Sequence, residues 1–157
     1  MFKSLFSTIS IASDHAGYEL KEFLKNYLIN NNISTIDLGP FEKKSVDYPD
    51  YAKKVANRVS SKRSEVGILV CGSGIGMSIA ANKSNNVRAA LCNDLKSSSL
   101  SRQHNNANII TMGARMLSKD KAVKIIKKFL TTKFDGGRHL RRIKKIKWAK
   151  KIIKTTY

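Results

Sequence analysis

Cysteine, proline, tryptophan and acidic residues are all scarce in this sequence. Two cysteines, Cys71 and Cys92, stand among 157 residues. That count excludes a disulfide framework, and neither thiol has a second ligand nearby at the spacing of a zinc pair. The pattern suits a reducing compartment, which makes the cytoplasm the expected location. No apolar run approaches the roughly 18 residues that a membrane span needs. The opening "MFKSLFSTISIASDHAG" is apolar, but polar residues break it and it runs into a first strand, so it reads as folded protein and not as a signal peptide. No internal repeat and no low-complexity linker interrupts the chain.

Acid is the most telling shortage. Eleven Asp and Glu face thirty Lys and Arg, a net charge of +19. Such a balance raises nucleic acid or another polyanion as a partner. The basic residues are mostly lysines scattered without interleaved aromatics, among plentiful Asn, Ile and Ser, as compositional bias produces. The expectation is therefore non-specific, salt-sensitive attraction to polyanions and nothing more.

A chain of this length forms one domain, expected over residues 1–157, and buries about two thirds of its unfolded surface without staples. Strand-like and helix-like segments alternate along it. Strands are expected at 7–13, 33–39, 66–71, 87–92 and 107–113. Helices are expected at 17–31, 48–61, 75–83, 95–105 and 118–132, with Ser118 as an N-cap. A basic helix from about residue 138 closes the chain, with Ile143, Ile146, Ala149 and Ile153 as an apolar stripe. Five βα units with short links predict an α/β fold: a single-domain, Rossmann-like, doubly wound α/β/α sandwich with a five-stranded parallel sheet and a C-terminal helix.

Ligands of such sheets bind outside the carboxyl ends of the strands. Asp14 and His15 follow the first strand, Cys71 to Gly76 the third, and Cys92 to Asp94 the fourth. His104, Asn105 and Arg115 are expected near strand five, where the sheet opens. In "VGILVCGSGIGMSIAAN" (66–82), Gly72, Gly74 and Gly76 let backbone N–H groups turn toward a ligand, and the helix that follows adds its positive end. A thiol there is expected to ionise readily, whereas Cys92 reads as an inert small hydrophobe. A thiolate beside oxyanion donors, with Ser73 as a hydroxyl donor, suits proton abstraction next to a carbonyl. The loop is neither G-x-G-x-x-G nor a P-loop. Arg138 and Arg142, four apart in "GGRHLRR", form two guanidinium forks on one helical face and suit a phosphate. The three histidines lack metal-site spacing, so no metal is expected.

The segments "SDHAGYELK", "VDYPDYA", "GILVCGSGIGMSIAANK", "VRAALC", "SRQHNNANIITMGAR" and "DGGRHLRRI" run in order over residues 9–143. In this order they resemble the type B ribose-5-phosphate isomerases, in the wider group with galactose-6-phosphate and allose-6-phosphate isomerases. The resemblance implies interconversion of ribose 5-phosphate and ribulose 5-phosphate through an enediolate, without metal or organic cofactor. It makes Cys71 the catalytic base, since the position where some members carry a glutamate is Met77 here. Ser73 and the amides of Gly72, Ser73, Gly74, Ile75 and Gly76 match the enediolate-stabilising loop. His104 matches the proton donor of ring opening. Asp14, His15, Tyr48 and Asn105 match sugar contacts, and Arg115, Arg138 and Arg142 match phosphate ligands, with His139 beside them. The resemblance also implies a homodimer with shared sites, Arg138 and Arg142 coming from the neighbouring subunit, and leaves a tetramer open. A six-carbon phosphosugar is the alternative substrate, and a non-catalytic sugar-phosphate sensor the remoter alternative. The residues ahead of the resembling region are expected to lengthen the first strand or form a loose end.

Overall fold

A computed structural model describes residues 1–146. Ala149 and Ile153 of the expected C-terminal stripe lie outside the described residues. The elements are β1 (Thr8–Ser13), α1 (Tyr18–Asn30), β2 (Ser34–Asp37), α2 (Tyr48–Ser60), β3 (Val66–Cys71), α3 (Ile75–Ala81), β4 (Ala89–Leu91), α4 (Leu95–Asn105), β5 (Ile109–Gly113), α5 (Lys119–Thr131) and α6 (Gly137–Ile143). The five strands form one sheet in the order β2-β1-β3-β5-β4, parallel at every pairing. The doubly wound sandwich expected from the alternation is thus present. Strand β4 is shorter than expected, three residues at an edge. Among the described residues no helix is long and apolar enough to cross a membrane.

Period-two alternation along the central strands builds both faces at once. Ile9, Ile11, Ile68, Val70, Ile110 and Met112 face one cluster, completed by Leu20, Leu24 and Leu28 of α1 and Ile125, Ile126 and Phe129 of α5. Ala12, Leu69, Cys71 and Ile109 face the other, where Ala52, Val55, Ala56 and Val59 of α2 meet Met77 and Ala81 of α3. Strand β3 is buried along its whole length, as a central strand covered on both faces must be. Helices α1 and α3 lie on opposite faces while β1 and β3 are neighbours, so a crevice opens at the carboxyl ends of those two strands.

The residues ahead of the first strand are ordered rather than loose. Phe2 stacks on Tyr27 with centroids 6.0 Å apart, and Leu5 N–H donates to Leu130 O at 2.9 Å. Phe6 covers the Arg102 guanidinium at 4.9 Å.

One buried cation fixes the corner between α1 and β2. Lys21 is fully buried, and its Nζ donates to Asp37 Oδ1 at 2.9 Å, Asp37 Oδ2 at 2.8 Å and Pro40 O at 2.8 Å, with Glu22 Oε1 at 2.7 Å. Burial pushes the Asp37 carboxyl up, but hydrogen bonds from Lys21, the Gly39 amide and Lys25 outweigh it and hold it below its ordinary value of 3.8. The depressed value adds stability that is full above the unfolded carboxyl's range and is lost as pH falls through the folded one. Lys21→Met leaves the Asp37 carboxylate short of its main partner and is expected to lower unfolding free energy by about 3–5 kcal/mol in urea titrations. The acid-side loss of stability attributable to Asp37 should shrink in the same variant.

Candidate active site

The residues singled out from the sequence fall into two groups, one at each end of the sheet. The first surrounds the end of β3. The chain leaves Cys71 through Gly72 and Ser73 and reverses at Gly74, whose φ of +80° favours glycine. A Cβ on Gly74 would lie 2.6 Å from Leu91 Cδ1 and 2.7 Å from the Met112 carbonyl carbon, so close packing demands glycine as well. Here the Gly74 N–H donates to Cys71 Sγ at 3.1 Å. Ser73 Oγ accepts from the Ile75 N–H at 3.2 Å, which leaves its own proton to donate. Cys71 is 5% exposed, at the floor of the loop.

Neighbouring segments close around this loop. The Ala114 N–H donates to Cys71 O at 2.8 Å and the Arg115 N–H to Gly72 O at 3.0 Å. These bonds lay Arg115 over Gly72, where a Cβ would be 2.9 Å from its Nη1. Tyr48, the first residue of α2, covers Gly76, where a Cβ would be 2.6 Å from its ring. Asp14 is buried, and its Oδ1 accepts from the Gly17 N–H at 2.9 Å while its own N–H donates to Val70 O at 3.1 Å. His15 Nδ1 lies 3.3 Å from both the amide and the carbonyl of Val46, tying β1 to the segment that carries Tyr48. Asp14, His15, Tyr48, Cys71, Gly72, Ser73, Gly74, Ile75, Gly76 and Arg115 thus share one end of the sheet.

Met77 is fully buried in the core, and burial pushes the fully enclosed Cys92 thiol up. Cys71 is therefore the thiol that borders the crevice.

His104 and Asn105 do not join this group, contrary to their expected place where the sheet opens. Helix α4 starts beyond the carboxyl end of β4 and runs antiparallel to the strands. Its last turn therefore arrives at the amino end of the sheet. There Arg88, at the start of β4, donates from Nε to Asn105 O at 3.0 Å, and the Gly67 N–H donates to Asn108 O at 2.9 Å. The eleven residues of α4 span about 16 Å, so the full depth of the sheet separates His104 from Cys71 within one chain.

A second group gathers around His104. The chain passes α5, and the Asp135 N–H donates to Gln103 O at 3.1 Å. Gly136 and Gly137, both at positive φ, then turn the chain into α6. His139 stacks on His104 with ring centroids 4.3 Å apart and planes 8° from parallel. Arg138 and Arg142 are exposed on the same short helix. Two residues that sequence reasoning missed support this end. Asp135 lies within reach of both imidazoles, its ligand atom and theirs all within 4.8 Å of one another. Arg102 is 6% exposed and, among the described residues, has no carboxylate partner. It donates to Ala107 O, to Asn106 Oδ1 at 2.9 Å and to Thr132 O at 3.4 Å, between the rings of Phe6 and Phe129. Burial, with Arg88 nearby, lowers its guanidinium to about 10. Only the acid within the "FDGGRH" break and the arginine two positions before His104 hint at these roles in the sequence.

Comparison with known proteins gives a consistent picture. The sequence model of the family described as Ribose/Galactose Isomerase matches residues 9–146. The crystal structure of a ribose 5-phosphate isomerase from Thermotoga maritima is 52% identical, aligns over 88% of this chain and 96% of its own, and has a TM-score of 0.87. Ribose-5-phosphate isomerase B from Mycoplasma genitalium, solved with bound ribulose-5-phosphate, is 42% identical over 88% of this chain and 92% of its own, with a TM-score of 0.86. Ribose-5-phosphate isomerase B of Escherichia coli is 38% identical over 138 residues, 88% of this chain and 93% of that protein.

Burial, then the charges of His104, Arg138 and Arg142, hold the His139 imidazole below its ordinary value of 6.5, with Asp135 pulling the other way. An NMR pH titration should find it there. Arg142→Ala is expected to move the midpoint up and Asp135→Asn to move it down.

Proposed function

Because this chain belongs to the ribose/galactose isomerase family, we propose that it interconverts ribose 5-phosphate and ribulose 5-phosphate through an enediolate with Cys71 as the base. The observation that carries this reading is the Gly74 amide aimed at Cys71 Sγ from 3.1 Å, in a loop bordered by Ser73 and Arg115. The sulfur takes the C2 proton of the open-chain aldose and returns it to C1, while the C2 hydroxyl gives up its proton and the C1 oxygen gains one. Charge that develops on the substrate oxygens meets the Ser73 hydroxyl and the amides of Gly72 to Gly76, groups already in place before the reaction. Asp14, His15 and Tyr48 border this loop and serve the sugar hydroxyls, and Arg115 serves the phosphate.

The opposite location of His104 gives this reading its quaternary form. The ring-opening acid and the base cannot meet in one chain, so the site is shared between two copies. One copy supplies Cys71 and its loop. The other supplies His104, Asn105, His139, Arg138 and Arg142, whose guanidinium forks grip the phosphate with Arg115. Exposed Ile75, Ile79, Leu91, Leu95 and Met116 come from elements that border the Cys71 loop, and a second copy gives these apolar side chains cover. A two-fold arrangement completes two sites at once.

Cys71→Ala is expected to lower turnover of ribose 5-phosphate by at least about 10²–10⁴ with the fold intact, followed by ketose formation. Turnover within threefold of the parent excludes the sulfur as the base. The same assay with allose 6-phosphate decides between five- and six-carbon substrates. Sharing has its own test. Cys71→Ala and His104→Asn chains, each inactive alone, should regain about a quarter of parental activity when mixed through refolding, because half the dimers then carry one intact site. No recovery from well-folded mixed dimers places both residues in the same copy's site.

A further inference from the structure

The three groups around the end of α4 have a chemistry beyond proton donation. His104 and His139 are imidazoles, Asp135 is a carboxylate, and one ligand atom from each lies within 4.8 Å of the others. Their backbones are tied together, since the Asp135 N–H donates to Gln103 O at 3.1 Å and the His139 N–H to Gly136 O at 3.0 Å. Tetrahedral zinc with bonds of about 2.0–2.2 Å needs ligand atoms about 3.3 Å apart. Binding takes the partly exposed His104 ring out of its parallel stack on His139, so that both in-plane lone pairs can meet one ion, and the exposed Asp135 side chain closes the remaining distance while His139 stays packed in place. Two imidazoles and one carboxylate match zinc, cobalt or nickel, and not magnesium or calcium, which take oxygen ligands.

We propose that His104, Asp135 and His139 form a binding site for a divalent transition-metal ion, and that its occupation switches the isomerase off. The sequence hides this site because one ligand lies on α4 and the other two lie just before and within α6, thirty-one residues and more further on. Three protein ligands leave a fourth position for water or for an anion drawn in by Arg138 and Arg142. Those same arginines oppose a dication, so the ion is a reversible inhibitor and not a resident cofactor. A His104 nitrogen bonded to metal has no proton to donate to a sugar ring. This inhibitory consequence rests on the function proposed above, whereas the binding itself does not.

The test uses the full chain freed of metal. Zinc is titrated by calorimetry and cobalt by its visible spectrum, both without sugar. One ion per chain is expected, with a cobalt spectrum free of thiolate charge-transfer bands. Asp135→Asn should weaken zinc binding by about 10–100-fold and Asp135→Glu should retain it. In the isomerase assay, zinc should slow the parent, a chelator should restore it, and Asp135→Asn should need proportionally more zinc. Absence of binding, equal binding by Asp135→Asn, or thiolate bands that place the ion on Cys71 each overturn the site. Binding that depends on Asp135 without any slowing of an active enzyme overturns the switch. A chain inactive on every sugar phosphate counts against the function proposed above, while the cobalt and calorimetric readings still decide the site.

Discussion

Parallel strands give a sheet two unlike ends, and that polarity governs everything else in this molecule. All five strands point one way, so each βα turn falls at one end and each αβ turn at the other. Central strand β3 is covered on both faces and opens to ligand only where it stops, at Cys71. There the backbone reverses through Gly74 beneath Leu91 and Met112, and the reversal aims an amide at the sulfur. Any residue at the end of a returning helix is carried to the far side. That is why His104, despite its motif, stands apart from Cys71.

The fold was legible in the sequence because its signals are local. The short apolar run "VGILVC", helical spacing in "GYELKEFLKNYLINN" and the Ser118 cap each depend on near neighbours, and each element formed where expected. The turn that follows Cys71 was legible for the same reason, since it is one contiguous run. His104 was misplaced because nearness in sequence to strand five was read as nearness to its carboxyl end. The direction of α4, which any βαβ unit imposes, gives the right answer. Arg102 and Asp135 escaped notice for a different reason. Their partners are Thr132, Phe6, Phe129 and the two imidazoles, and no short window of sequence contains those contacts.

The excess of cations sharpens this contrast. Eleven acids face thirty Lys and Arg, and the two buried cations, Lys21 and Arg102, are served differently. Lys21 has Asp37 and Glu22, a local concentration of acid at the α1–β2 corner. Arg102 has carbonyl oxygens and two aromatic faces instead. Its planar, weakly hydrated guanidinium tolerates that setting better than an ammonium would. The two cations thus hold opposite ends of the molecule by different chemistry. Lys21 anchors the strand end beside the crevice, and Arg102 anchors the turn of α4 that bears His104.

Each half of the proposed site is therefore built and held within its own chain before any partner arrives. The glycine loop fixes the sulfur and its donors, and the packing around Arg102 fixes the imidazole pair and the start of α6. In the proposed dimer, association adds nearness, because neither half has to be remade when the two meet. Holding reacting groups in register in this way lowers a barrier without adding a new group. The proposed sharing also ties activity to assembly. A change that spares every site residue but loosens Arg102 from Thr132 and Ala107 would leave the loop at Cys71 intact while displacing His104, the acid proposed to reach it from the other copy.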